Sequence, residues 1–428
     1  MMPRMKFAVL YLCILAIVFN RSRGTQCPGE CSNECSFNSE GNITEANCTG
    51  IRLQNLPRTA LNLNIKGPVK PIDFPLGRMY SYHLFGMTNL QYLKIEHYGI
   101  TKLEQNCFNA LSALITLDLS NNVIVQIETS HFTGLSSLKY LHLHHNFIEI
   151  KDDAFRGMSS LIDVDLSHNN IDHLDNITLQ GLTGVESLNL SFNKISAVDE
   201  AALTDLKKLT EIRLGYNTIT TLPSVLFKGL ANLRDIELQH NSILDIEGNT
   251  FGSLRLDGLN LMDNTIGAIA PSAFDESSIG EVHLENNNLK SLPESVLTIF
   301  SKSSSVFLFN NSWICNCTEN WFRDIASLSN PKPKCAEPRN YTEMTLSDFF
   351  GKFTELCQPE AVTAHRTDTD SDTNKGAMIA GIICGIFMLA LLIGLLLLLY
   401  KKKRQRVKPR DEQNTPSVHI NTVNTVPT

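Results

Sequence analysis

Ten in-register copies of one pattern run through the middle of the 428-residue chain. They open at Leu90, Leu114, Leu138, Leu161, Val185, Leu209, Leu233, Leu256, Ile279 and Ser303, at intervals of 23 or 24 residues. The pattern reads L-x-x-L-x-L-x-x-N-x-I, as in "LKYLHLHHNFI" from Leu138, and nine of the ten copies have Asn at the ninth position, Tyr98 being the exception. Further along each unit a phenylalanine recurs at Phe108, Phe132, Phe155, Phe227, Phe251 and Phe274, with Leu179 and Leu203 in the same slot. A unit this short cannot bury an apolar face alone, so the copies must stack and the two ends must be capped.

The spacing predicts how each unit folds. The fourth and sixth positions, Leu141 and Leu143 in the copy above, are two apart and face the same way on a strand. They point into the stack, so Tyr140, His142 and His144 point out, with His145 at the edge of the sheet. The ninth-position Asn turns its amide onto backbone groups of the bend, and the phenylalanine fills the far side of the coil. Lys66 to Gly86 breaks the period with Pro68, Pro71 and Pro75, which makes the first unit long and irregular.

Two apolar runs lie outside the array. Phe7 to Phe19 follows Arg4 and Lys6 and reads as the core of a secretory signal peptide, with cleavage expected near "RGTQC". Gly376 to Tyr400 holds no charge and is long enough to span a bilayer. "KKKRQRVKPR" follows it directly, which places the tail inside and everything before the span outside. The formal net charge is −7; the signal region contributes four basic residues and the tail seven basic and two acidic, which leaves −16 on the exterior part. Such an exterior argues against nucleic acid and heparin-like partners.

The nine cysteines outside the signal and the span divide into Cys27, Cys31, Cys35 and Cys48, a lone Cys107, and Cys315, Cys317, Cys335 and Cys357. Clusters at both ends of an unstapled array read as disulfide caps; a secreted context disfavours zinc, and spacing alone leaves three connectivities per cluster.

Repeat and flanks together resemble the extracellular leucine-rich repeat family, over about Leu90 to Trp313. "CPGECSNEC" and "NNSWICNCTENWFRDI" resemble its N- and C-terminal caps. The resemblance implies an α/β-type solenoid, a horseshoe whose parallel strands line a concave sheet. It also implies the pairs Cys315–Cys335 and Cys317–Cys357; the pairing among the first four cysteines stays open. The expected organisation is a signal peptide over 1–25, an N-terminal cap over 26–60 and repeats over 61–310. A C-terminal cap over 311–357, a polar stalk over 358–375, a transmembrane helix over 376–400 and a basic tail over 401–428 follow.

The outward positions of the sheet are the candidate site. They include Tyr92, Asp118, Tyr140, His142, His144, Asp163, Asp165, Glu211, Arg213, Glu237 and His283. Glu96, Asp235, Asp263, Glu281 and Glu285 add acid, and Lys94 and Arg213 are the few bases. A solvated polar face is the plain reading, and a binding face for a basic or polar protein partner the sharper one. Asp118, His142 and Asp165 should be lateral neighbours, which raises the histidine's proton affinity. Zinc on His142 and His144 lacks a closed shell on an open sheet, so no metal and no cofactor is expected.

Seven N-x-[ST] sequons name glycan candidates at Asn42, Asn47, Asn176, Asn189, Asn310, Asn316 and Asn340. A glycan on Asn189 would crowd the middle of the concave face. Cys107 fills a slot that holds Ala154, Ala202 and Ala273 elsewhere, so a buried thiol is expected over an intermolecular disulfide. Ala377, Gly381 and Gly385 form a small-residue stripe suited to helix self-association and a homodimer. No catalytic motif stands out, and an open face offers no reaction pocket. A single-pass plasma-membrane recognition protein for an extracellular protein ligand, homophilic or heterophilic, follows, similar to adhesion and innate immune members of the family. An auxiliary subunit or co-receptor acting through its membrane helix on a channel or larger receptor, and a ligand-sequestering decoy, are the alternatives.

Overall fold

The computed structural model describes residues 35–38, 45–49, 59–66, 77–151, 153–316, 331–342, 344–352 and 356. The first two stretches are described as backbone alone. The signal segment, the stalk, the apolar run from Gly376 to Tyr400 with its Ala377, Gly381 and Gly385 stripe, and the tail lie outside them. Among the described residues no helix is long and apolar enough to cross a membrane.

The repeats stack into one thirteen-stranded sheet in chain order. Cys35–Asn38 pairs antiparallel with Glu45–Thr49, and the register sets Cys35 opposite Cys48. Every later pairing is parallel: Asn62–Lys66, Tyr92–Glu96, Thr116–Asp118, Tyr140–His142, Asp163–Asp165 and Ser187–Asn189. Glu211–Arg213, Asp235–Glu237, Arg255–Asn260, Ser278–His283 and Ser305–Phe307 complete it. Equivalent positions meet across each pair, so Leu117, Leu141, Val164, Leu188, Ile212 and Ile236 form one inward row.

That row is fully buried, as is the sixth-position row of Leu119, Leu143, Leu166, Leu190, Leu214 and Leu238. Burying each such side chain contributes about 1.5–3 kcal/mol, realised only when a neighbouring unit covers it. On the far side Phe227, Phe251 and Phe274 stack at 5.6 and 5.3 Å, and Phe274 meets Phe300 edge-on at 5.1 Å.

The ninth-position asparagines hold the turns. Asn217 donates from Nδ2 to the carbonyls of Leu190, Leu214 and Gly215 at 3.0–3.3 Å, and its Oδ1 accepts the Ile195 N–H at 3.0 Å. The same four-point pattern recurs at Asn146, Asn169, Asn193, Asn241, Asn264, Asn287 and Asn311. Each amide satisfies backbone groups that no strand reaches, and ties each unit to the one before it. Asn122 extends the ladder to the first regular unit, accepting from the backbone N–H groups of Tyr98 and Ile100.

The far side departs from the expected α/β alternation. It consists of successive tight turns, such as Leu111 N–H to Phe108 O and Leu114 N–H to Leu111 O, and of two-residue strand pairs such as Gln126–Ile127 with Glu149–Ile150. Within the repeats, one α-helix, Glu294–Phe300, is present among the described residues. The reason is length: strand and turn use half of each unit, and the remaining dozen or so residues must cross the coil and return. At about 1.5 Å per residue a helix covers too little distance to do so.

Cys315 and Cys335 are joined by a disulfide with 5.7 Å between Cα atoms, both residues buried beside Trp313. Cys317, Cys357, Cys27 and Cys31 lie outside the described residues.

Candidate functional site

The outward sheet face is built by alternation. Asp163–Asp165, Glu211–Arg213 and Asp235–Glu237 bury their central residue and leave the two flanking ones partly exposed, whereas Thr116–Asp118 buries Asp118 as well. Tyr92, Tyr140, Asp163 and Glu211 therefore occupy one row of register partners, and Asp118, His142, Asp165, Arg213, Glu237 and His283 another.

Within these rows the side chains form local networks. Lys94 bridges Glu96 at 3.2 Å and Asp118 at 3.0 Å. Asp118 is nearly buried, which by itself favours the neutral acid; hydrogen bonds from Ser120 and Lys94 outweigh this and hold its carboxyl below the usual range. Arg213 pairs with Glu211 and, at 3.7 Å, with Glu237. At the C-terminal end His283 is clamped between Glu285 at 2.8 Å and Glu281 at 3.1 Å and stacks on Phe307 at 4.4 Å. The hydrogen bond to Glu285 dominates and raises the histidine's proton affinity.

His142 does lie between Asp118 and Asp165 in register, yet it bonds to neither. Its Nε2 meets Asp163 Oδ1 at 3.2 Å, which raises the histidine and lowers the aspartate. The reason is that the fifth-position acids are occupied at home. Asp118 accepts the Ser120 N–H and Asp165 the Ser167 N–H, each at 2.9 Å, closing the bend two residues on. Asn189 and Asn260 do the same for Ser191 and Met262. These residues are as much turn-formers as surface groups.

His144 is pushed below its ordinary value by burial, and its ring meets His145 edge-on at 5.4 Å. Among the described residues, no three metal-ligating side chains converge. Of the sequon asparagines, Asn176, Asn310 and Asn340 are exposed and Asn189 and Asn316 half-buried; Asn47 lies on a strand described as backbone alone, and Asn42 outside the described residues. Cys107 is buried, its Sγ 3.8 Å from the His131 carbonyl, and burial pushes its thiol up to about 12.

One feature escaped the outward-position reading. The eighth residue of every regular unit has left-handed backbone, from His97 at φ 54° through Asn310 at φ 54°. In five successive units that residue is a ring, and the rings stack: His145 on His168 at 4.0 Å, His168 on Phe192 at 4.2 Å, Phe192 on Tyr216 at 4.0 Å, and Tyr216 on His240 at 4.2 Å. Reading the eighth column down the aligned copies would have found it.

The asparagine ladder and the inward leucine rows are matched by known sequence models. A model described as leucine rich repeat covers residues 88–148, 146–195 and 183–243, and one described as BspA type leucine rich repeat region covers 220–332. Together they account for more than half of the chain. The chain is a leucine-rich repeat protein.

Solved leucine-rich repeat structures share the fold at low sequence identity. A chain of the mouse RP105/MD-1 complex aligns at 21% identity and TM-score 0.51, covering 68% of this chain and 46% of that one. A chain of the Drosophila Toll–Spätzle complex aligns at 18% and 0.57, covering 71% and 44%. A chain from an octameric complex of Latrophilin 3, Unc5D and FLRT2 aligns at 20% and 0.54, covering 73% and 95%. This leucine-rich repeat chain thus spans less than half the length of the first two.

Proposed function

We propose that this leucine-rich repeat protein is a cell-surface receptor or adhesion protein that binds an extracellular protein ligand through its sheet face. The observation that carries the reading is the face itself. Eleven parallel strands present two continuous rows of outward side chains on a rigid, fully packed support, a surface suited to reading another protein and lacking an enclosed reaction site. The similar structures come from protein complexes: RP105 with MD-1, Toll with Spätzle, and Latrophilin 3 with Unc5D and FLRT2. The signal segment and the apolar run from Gly376 to Tyr400 supply export and a single-pass anchor, with the repeats outside and the basic tail inside.

A cell-aggregation assay tests this. Full-length protein is expressed in non-adherent cells, and these are mixed with unexpressing cells and, in parallel, probed with a panel of secreted and surface proteins. Clumping restricted to expressing cells establishes homophilic adhesion; capture of a panel member, lost when sheet-face residues are replaced, establishes a heterophilic ligand. If neither is seen while the protein stands intact at the surface, the reading is rejected. The Gly381-x-x-x-Gly385 stripe supports a second reading, an auxiliary subunit working through its membrane helix. Replacing that segment with an unrelated span should then abolish function, whereas adhesion should survive it.

A further inference from the structure

The ring stack has an unusual energetic balance. Left-handed backbone is tolerated by Asn, Asp and His, but a bulky residue there is strained by roughly 1–2 kcal/mol. Phe192 and Tyr216 take this conformation at φ 55° and 57°, and still leave 42% and 40% of their surface exposed. Because the rings lie face to face, their faces cover one another and only their edges reach solvent. The outcome is a stiff aromatic ridge along the sheet border, and it is not a set of open faces for cations.

Beside the ridge the floor of the sheet is acidic. Glu211, Asp235 and Glu237 line two adjacent strands, and Asp257 stands next to them on the following one. Two nearby bases are already engaged. Arg213 is held by Glu211 and Glu237, and Arg234 is tied to the carbonyls of Ala231, Leu233 and Arg255. Asp235 has no ion pair among the described residues. Burial, with Asp257 and Glu237 close by, pushes its carboxyl above the usual range. Its register partner on the next strand is Gly258, where an added Cβ would come within 3.0 Å of Asp235 Oδ1. The Asp235 carboxyl therefore leans over the space that a side chain at Gly258 would fill, with no ion pair of its own and with Arg213 acting on it only from a distance.

We infer that the Phe192–Tyr216–His240 ridge and the Asp235–Glu237 floor form one docking surface, whose occupant is a protein segment carrying an arginine next to an apolar side chain. The guanidinium enters over Gly258 and bridges Asp235 and Glu237, and the apolar neighbour packs on the exposed ring edges. A planar fork suits two carboxylates on adjacent positions better than an ammonium does, and preformed rigid rings give contact area at low entropic cost. The inference rests on the protein-recognition reading above and adds to it the place and the chemistry.

The test uses full-length protein displayed on cells and a library of random linear peptides as the probe, with surface level tracked by an epitope tag so that misfolded variants are identified. Enriched peptides are expected to carry arginine beside leucine or an aromatic residue. They should bind about tenfold more weakly to Asp235→Asn/Glu237→Gln, to Phe192→Ala/Tyr216→Ala and to Gly258→Leu, and unchanged to Asp172→Asn, an exposed residue beside the far-side strand pair of His173–Leu174 with Ala197–Val198. Gly258→Leu keeps every charge while crowding the Asp235 carboxyl from the next strand, so it separates the docking geometry from bulk attraction. Peptides without basic residues, or basic peptides indifferent to all three sheet-face variants, overturn the inference and leave the recognition reading standing. Absence of any peptide enriched over cells lacking the protein overturns both.

Discussion

Two adjacent columns of the repeat behave in opposite ways. The ninth position is Asn in nine of ten units, is turned inward, and spends its whole amide on backbone groups. The eighth position changes from unit to unit, through His, Asn, Phe, Tyr and Asp, and its side chain lies at the open border of the sheet. Both sit in the same bend and both accept the same stack of units. The difference is what the fold demands of each. The ninth must supply an acceptor and two donors at fixed places; the eighth need only tolerate left-handed backbone. Uniformity across copies therefore marks what holds the solenoid together, and variety marks what is free to face a partner.

The contrast is broken most severely from the inner column. Asn217→Ala removes the partners of the Ile195 N–H and of three carbonyls inside a buried turn. An unsatisfied buried group costs about 1–3 kcal/mol, so a loss of about 3 kcal/mol is expected for the set. Thermal or denaturant unfolding of the purified protein reads it. A loss below about 1 kcal/mol would show that water replaces the amide and that the ladder is not what fixes the turn.

Phe192→Asn in the outer column should do far less. It deletes two ring stacks, worth about 0.5–1.5 kcal/mol each, and relieves backbone strain of roughly 1–2 kcal/mol. The two nearly cancel, so stability should shift by less than about 1 kcal/mol in either direction. Phe192→Ala loses the stacks and keeps the strain, and should be the less stable of the pair. If the two variants melt together, the left-handed backbone carries no cost there.

The sequence made the inner column legible because periodicity, apolar alternation and the recurrent Asn are all one-dimensional signals. The stacked coils, the inward Leu141 and Leu143 and the outward His142 and His144 follow from spacing alone. Three things did not. The turns of the far side needed the length of the unit weighed against the rise of a helix. The choice of Asp163 over Asp118 and Asp165 as partner of His142 needed the knowledge that fifth-position acids close their own bends. The ring stack needed the left-handed φ of the eighth residue, which turns five rings of unrelated type onto one line and is invisible to an inward-or-outward reading of a strand.

The His142–Asp163 pair gives the smallest effect and the most specific one. Its two groups are about one third exposed, 34% each, so the pair stabilises by less than about 1 kcal/mol. Its pH dependence is set by both partners. The hydrogen bond to Asp163 raises the histidine, so the histidine's share is complete below the ordinary histidine value and fades as pH rises through the higher folded one. The same bond lowers Asp163, whose share is complete above the ordinary aspartate value and fades as pH falls through the lower folded one. The stability difference between the natural protein and Asp163→Asn should therefore peak between about pH 4 and 6.5 and shrink on both sides. His144, two residues away, is shifted the opposite way, downward by burial, so His144→Gln should leave that peak in place. Following the histidine ring protons by NMR across this range separates the two: His142 must titrate above His144. The reverse order would mean that Asp163 does not hold His142, and that the open face is solvated polar surface at this point and not a network.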